Sequence, residues 1–141
     1  MAVIDVFADL EKLKAGEATR QDRAFVMVAD RILFEDAALI AVNKPAGLPT
    51  QPTLDEAREN LYAAVKKFLA ARDGVAEAYV GLHHRLDRDT SGVVIFTKDK
   101  AANAGVARAF AEHLARKTYL ALTERGPGDL RVEWTVRNYL G

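Results

Sequence analysis

Nine residues, His84-Arg85-Leu86-Asp87-Arg88-Asp89-Thr90-Ser91-Gly92, separate two apolar runs, Tyr79-Val80-Gly81-Leu82 before them and Val93-Val94-Ile95-Phe96 after. Short runs rich in β-branched and aromatic residues read as strands. A charged stretch framed by strands is where a rigid sheet presents a working loop. Whatever this chain folds into, a sheet has to form around that segment.

The neighbouring patterns supply the partners. Ile32-Leu33-Phe34 and Leu39-Ile40-Ala41-Val42 flank the short polar link Glu35-Asp36-Ala37-Ala38, which predicts a hairpin. The second run leads into Asn43-Lys44-Pro45-Ala46-Gly47, where Pro and Gly predict a fixed turn at a strand end. Lys44 there reads as a solvated charge or, at a strand end, as a phosphate contact. Pro49 and Pro52 hold the chain extended to Thr53, and Thr53-Leu54-Asp55-Glu56 has capping-box spacing. Leu54, Ala57, Leu61, Val65 and Phe68 recur at helical spacing, with Gly74 placed to end the helix and Lys66 and Lys67 on its solvated face. Asp99 can cap a second helix to about Arg116, with Val106, Ala109, Phe110 and Leu114 as its stripe and His113 as a structural residue near its end. Lys117 to Leu122 and Arg131 to Val136 alternate like strands around a Gly126-Pro127-Gly128 turn. The pattern predicts an α+β fold, a mostly antiparallel mixed sheet with two main helices packed on it. Residues 1–30 are an unassigned lead-in and residues 31–141 form one domain.

Composition narrows the chemistry. Cysteine is absent, which excludes disulfides, thiolate metal sites and Cys nucleophiles and fits a reducing compartment. No signal-peptide pattern and no apolar stretch of roughly 20 residues is present, so no membrane partner is expected and the reading is cytoplasmic. Net charge is zero but uneven: residues 1–60 carry 7 Lys and Arg against 11 Asp and Glu, residues 61–141 carry 13 against 9. The basic half contains the central loop, compatible with a polyanionic partner.

Within that loop Asp87 lies between Arg85 and Arg88. Nearby guanidinium charge favours an ionised carboxylate, which suits a nucleophile or electrostatic stabiliser better than a general acid. The arginines can also guide an anionic substrate. Thr90-Ser91-Gly92 offers hydroxyls and N–H groups for fixing a loop or touching a phosphate. The adjacent His83 and His84 cannot easily chelate one ion from a strand. A Ser91-His84-Asp87 triad lacks a nucleophile elbow, and the aspartic-protease signature does not fit Asp89-Thr90-Ser91-Gly92, which carries one extra residue.

Taken whole, His84 to Gly92 match H-R-L-D-x-x-T-S-G at every fixed position, and the chain resembles the RluA-like pseudouridine synthases. Ile32 to Asp36 through Val42 to Leu48 resembles that family's first motif, and Lys117-Thr118-Tyr119-Leu120-Ala121 resembles its Lys-x-Tyr-x-Ala segment. The resemblance implies a pseudouridine synthase-like fold and an isomerase that converts uridine in rRNA or tRNA to pseudouridine with no metal or organic cofactor. It implies Asp87 as the catalytic aspartate, acting as nucleophile or base. It implies Tyr119 as the tyrosine that stacks on the target base and handles a proton at C5. Arg85 would hold the extruded nucleotide, with His84, Thr90 and Lys117 on the substrate side. In this resemblance Lys44 belongs to a structural motif, Thr90 to Gly92 also shape the loop, and Lys117 is structural or contacts RNA.

The chain departs from the family pattern in two places. A Gly-Arg-Thr-His-Gln-Ile-Arg type of segment, whose basic residue pairs with the aspartate, is not found, and Arg131 and Arg137 lie in other contexts. An S4-like RNA-binding domain is not evident in residues 1–30. The expectation is the N-terminal half of a catalytic domain, its sheet C-terminally incomplete with an open edge. A truncated chain, a gene fragment, or a small protein completed by self-association through that edge would each account for it. Little or no synthase activity is expected of such a chain alone. The competing class is a non-catalytic remnant that binds RNA or a protein partner.

Overall fold

The computed structural model describes residues 25–54 and 58–120. Strands β1 (Ile32–Glu35), β2 (Leu39–Lys44), β3 (Gly81–Leu82) and β4 (Gly92–Thr97) form one antiparallel sheet in the order β1-β2-β4-β3. Helices α1 (Leu61–Asp73) and α2 (Asn103–Ala111) complete the α+β architecture.

The predicted hairpin forms because Asp36 closes it. Its Oδ1 accepts from the Ala38 and Leu39 N–H groups at 2.8 and 2.7 Å, and its own N–H donates to the Leu39 carbonyl. Asp side chains favour such turns because they bond to the backbone just ahead. In β2 the period of two puts Ile40, Val42 and Lys44 on the buried face, with Ile40 opposite Phe96 and Val42 opposite Val94 in β4. Leu61, Val65 and Leu69, one helical turn apart along α1, lie in the same buried cluster, together with Leu48, Val80 and Met27. Each such side chain contributes about 1.5–3 kcal/mol when fully buried.

Helix α1 starts later than the capping box predicts. Asn60 is its N-cap, with Oδ1 accepting from the Ala63 N–H at 2.9 Å. The Pro49 and Thr50 carbonyls accept from the Leu61 and Tyr62 N–H groups, and the Asn60 carbonyl accepts from Ala64. The first three N–H groups of the helix are thus satisfied from outside its ladder, and the Asn60 carbonyl starts the ladder itself. Leu54, expected in the buried stripe, is fully exposed, and Ala57 lies outside the described residues. Gly74 ends the helix as expected, in the left-handed conformation at φ +67°.

Helix α2 is shorter than its pattern suggests. Asp99 caps a 3-10 turn at Lys100–Ala102 that leads into it. It stops at Ala111, because His113 adopts a positive φ of 56° and the Ala115 N–H turns back to the Ala109 carbonyl. Val106, Ala109 and Phe110 are half-buried, whereas Leu114 is left exposed. Only Gly81 and Leu82 of the run before the central loop pair as a strand. Gly81 is required there, since a Cβ would come within 2.2 Å of the Thr97 Oγ1. Lys117 to Leu120 are not strand. The expected Gly126–Gly128 turn, the strand at Arg131 and the runs before residue 25 lie outside the described residues.

Candidate active site

The 83–91 loop is held from below by the segment that follows β2. Lys44 is completely buried, and its Nζ donates to the carbonyls of Leu48 at 2.7 Å, Arg88 at 2.8 Å and Pro45 at 3.1 Å. Its three protons match three carbonyls, so it is neither the solvated charge nor the phosphate contact that its strand-end position suggested. Burial pushes its pKa below the ordinary lysine value, opposed by the negative charges of Asp89 and Asp87. The Gly47 N–H donates to the same Arg88 carbonyl at 2.9 Å, from a backbone at φ +85° that favours glycine.

On the other side of Asp87 the clamp is Thr50. Its hydroxyl donates to the Leu86 carbonyl at 2.6 Å and accepts from the Leu86 N–H at 3.2 Å. One buried side chain thus does for Leu86 what a paired strand would. Between Leu86 and Arg88, Asp87 is fixed in its main chain, and its carbonyl accepts from the Thr90 N–H at 3.1 Å to close a turn. Its carboxylate is exposed and makes no hydrogen bond or ion pair among the described residues.

The flanking arginines divide their work differently from the sequence expectation. Arg88 does not pair with Asp87: its guanidinium forks onto Asp89, Nε to Oδ1 at 2.9 Å and Nη2 to Oδ2 at 2.8 Å. That contact lowers the Asp89 pKa. Arg85 is exposed and makes no hydrogen bond or ion pair among the described residues. Asp87 opens onto a cleft of roughly 260 Å³ lined by the 49–53 segment, Arg58 and the 85–88 loop.

His84 and His83 serve the sheet. The His84 Nε2 accepts from the Ile95 N–H at 2.9 Å, so the neutral ring carries its proton on Nδ1. Where β3 ends at Leu82, this imidazole takes over as acceptor for β4. The ring stacks on Phe110 at 4.4 Å, and the Lys117 ammonium lies 5.5 Å from the Phe110 ring centre. Burial first, then the charges of Lys117 and His83, push the His84 pKa down to about 4. Its Nδ1 is buried without a partner among the described residues. His83 meets the Thr97 hydroxyl, which donates to Asn103 Oδ1, while Asn103 Nδ2 donates to the Tyr79 hydroxyl.

Of the residues singled out in the sequence, the structure brings Asp87 and Arg85 together at the cleft. Thr90 is half-buried at the turn behind them. His84, Lys117 and Tyr119 do not line the cleft, and Tyr119 is 59% exposed. Thr50 and Arg58 were not singled out. The only signal for Thr50 was a hydroxyl set in an extended stretch between two prolines, and Arg58 had none.

The chain is similar to known proteins. A family model described as RNA pseudouridylate synthase matches residues 38–140. RNA pseudouridine synthase 1 of Arabidopsis thaliana is 38% identical over 114 residues, 81% of this chain and 32% of that protein. Ribosomal large subunit pseudouridine synthase D of Zymomonas mobilis is 37% identical over 100 residues, 68% of this chain and 31% of that protein. The solved structure of human RNA pseudouridylate synthase domain containing 4 superposes with a TM-score of 0.50 at 30% identity, covering 60% of this chain and 31% of that one. The chain spans about a third of the length of these relatives.

Proposed function

Because the chain belongs to the RNA pseudouridylate synthase family, we propose that it isomerises uridine to pseudouridine in RNA, with Asp87 as the catalytic residue. The observation that carries this reading is the state of Asp87. Its main chain is clamped on both sides, by Thr50 through Leu86 and by Lys44 through Arg88, while its carboxylate is left uncommitted at a cleft. A positioned carboxylate with no internal partner is available to a substrate.

In the reaction the bond from ribose C1′ to uracil N1 breaks and a bond from C1′ to C5 forms. The C5 proton leaves and N1 gains one, so product and substrate are isomers. Asp87 acts on the nucleoside as nucleophile or base and Arg85 holds the target nucleotide out of its stack, while Tyr119, which lies outside the cleft in this structure, is assigned to the base and the C5 proton by its sequence motif alone. Extrusion from structured RNA costs roughly a few kcal/mol, which contacts at the cleft have to offset. The relative named as a ribosomal large subunit synthase favours ribosomal RNA as the substrate class.

The test is tritium release from RNA labelled at uridine C5, with protein in excess so that slow turnover is seen. Wild type releases tritium, Asp87→Asn lowers the rate by about a thousandfold or more, and Tyr119→Phe also lowers it. Release that survives Asp87→Asn, or no release from RNA that the chain binds, overturns the assignment.

A further inference from the structure

The cleft beside Asp87 carries more cationic groups than its own carboxylates engage. Arg88 is closed onto Asp89. Arg85 and Arg58 both line the cleft, both are exposed, and neither makes a hydrogen bond or ion pair among the described residues. Arg85 belongs to the loop of Asp87. Arg58 comes from the segment leading into α1, a separate part of the lining, and no motif names it.

The size of the cleft says where a polyanion would meet these groups. At roughly 260 Å³ the cleft is smaller than the pockets that enclose a drug-sized molecule, about 300–1,000 Å³. Such an open cleft can take one nucleoside, with the rest of a strand outside it. A nucleoside seated against Asp87 keeps its flanking phosphates at the rim. Phosphates brought beside an aspartate need opposing charge, and a guanidinium fork matches phosphate oxygens two at a time. With Arg88 occupied, the groups available at the rim are Arg85 and Arg58.

We propose that Arg58 binds a backbone phosphate of the RNA next to the target nucleotide, forming with Arg85 a two-point phosphate grip around the Asp87 cleft. This rests on RNA being the substrate, as proposed above. Arg58 makes no base contact in this role, so it contributes affinity without sequence preference.

The experiment measures binding of a fluorescently labelled, uridine-containing single-stranded RNA by anisotropy, from about 50 to 200 mM salt. The 141-residue wild type, Arg58→Gln, Arg58→Lys and Lys67→Gln are compared, with melting curves to confirm folding. Lys67 is an exposed α1 residue that does not line the cleft. Loss of one phosphate contact to a single strand makes the log–log salt dependence shallower by about 0.7. Arg58→Gln is expected to show that change, Arg58→Lys to keep the wild-type slope, and Lys67→Gln to match wild type. An unchanged slope in Arg58→Gln overturns the proposal, as does an equal loss in Lys67→Gln, which would mean a diffuse basic surface. If Arg58→Gln does not fold, a wild-type slope in the charge-reversed Arg58→Glu overturns it equally. Absence of RNA binding by wild type is a different result: it removes the RNA reading itself, and this proposal with it.

Discussion

The Lys44 ammonium group donates at 2.8 Å to the main-chain carbonyl of Arg88, a residue 44 positions away that directly follows Asp87. A buried cation and the loop of the candidate catalytic residue are therefore one mechanical unit. Replacing Lys44 by Met keeps the volume and removes three donors. The carbonyls of Pro45 and Leu48 lose the Lys44 bond and that of Arg88 keeps only the Gly47 N–H, at roughly 1–3 kcal/mol for each group that stays buried and unsatisfied. Lys44→Met is expected to lower unfolding stability by about 3 kcal/mol in a urea melt.

Thr50 can be tested with a near-isosteric change. Thr50→Val leaves both the N–H and the carbonyl of Leu86 without their partner, a loss of about 1–3 kcal/mol. Thr50→Ser keeps the hydroxyl and is expected to stay within about 1 kcal/mol of wild type. Tritium release should follow the same order, with Val slower than Ser, because Leu86 sets the backbone one residue before Asp87.

His84 makes stability depend on pH in a window that can be read separately. Its pKa falls from the ordinary 6.5 to about 4 on folding. Between those values the unfolded chain binds a proton and the folded ring does not, so stability declines as pH drops from about 6.5 to 4. After discounting for partial solvent access, the loss is roughly 1–2 kcal/mol. A His84→Gln variant should lack that slope in melts across this range.

A second window lies lower. The Glu35 carboxylate takes a forked bond from Arg72 at 2.8 and 2.9 Å and a bond from Lys98 at 2.5 Å, tying β1 to α1 and to the residue after β4. The Arg72 bonds are the main cause that holds its pKa near 2, against the ordinary 4.5. The lowered value means stability is present above pH 4.5 and lost as pH falls toward 2. Glu35→Gln should cost about 1 kcal/mol at pH 7, because the partners are partly exposed, and should flatten the melt profile below pH 4.5.

Local chemistry was legible in the sequence where it acts over a few residues. Asp36 closes its own hairpin, Gly74 ends its own helix, and Asp99 caps the turn just after it. The start of α1 was misplaced because Thr53 has the right spacing, whereas Asn60 gains the Pro49 and Thr50 carbonyls beside it, a tertiary arrangement. Lys44 misled for a related reason. A lysine reads as surface by type, and its burial depends on carbonyls gathered by the fold. In the site, Asp87 and Arg85 share a contiguous motif and were found together. Thr50 acts on a residue 36 positions away, and Arg58 meets the cleft only through folding, so no local pattern marked either.

The exchange of a strand for a side chain at Ile95 has a further consequence. Strand β3 covers β4 only at Phe96 and Thr97, and the His84 imidazole closes the next N–H along. A doubly protonated ring has no lone pair to accept with. As pH nears 4, the Ile95 N–H loses its acceptor and the ladder ends one bond earlier, at the start of the central loop. The same imidazole thus sets where the ladder ends, and amide exchange at Ile95 should quicken near pH 4 together with the loss of stability that His84 governs.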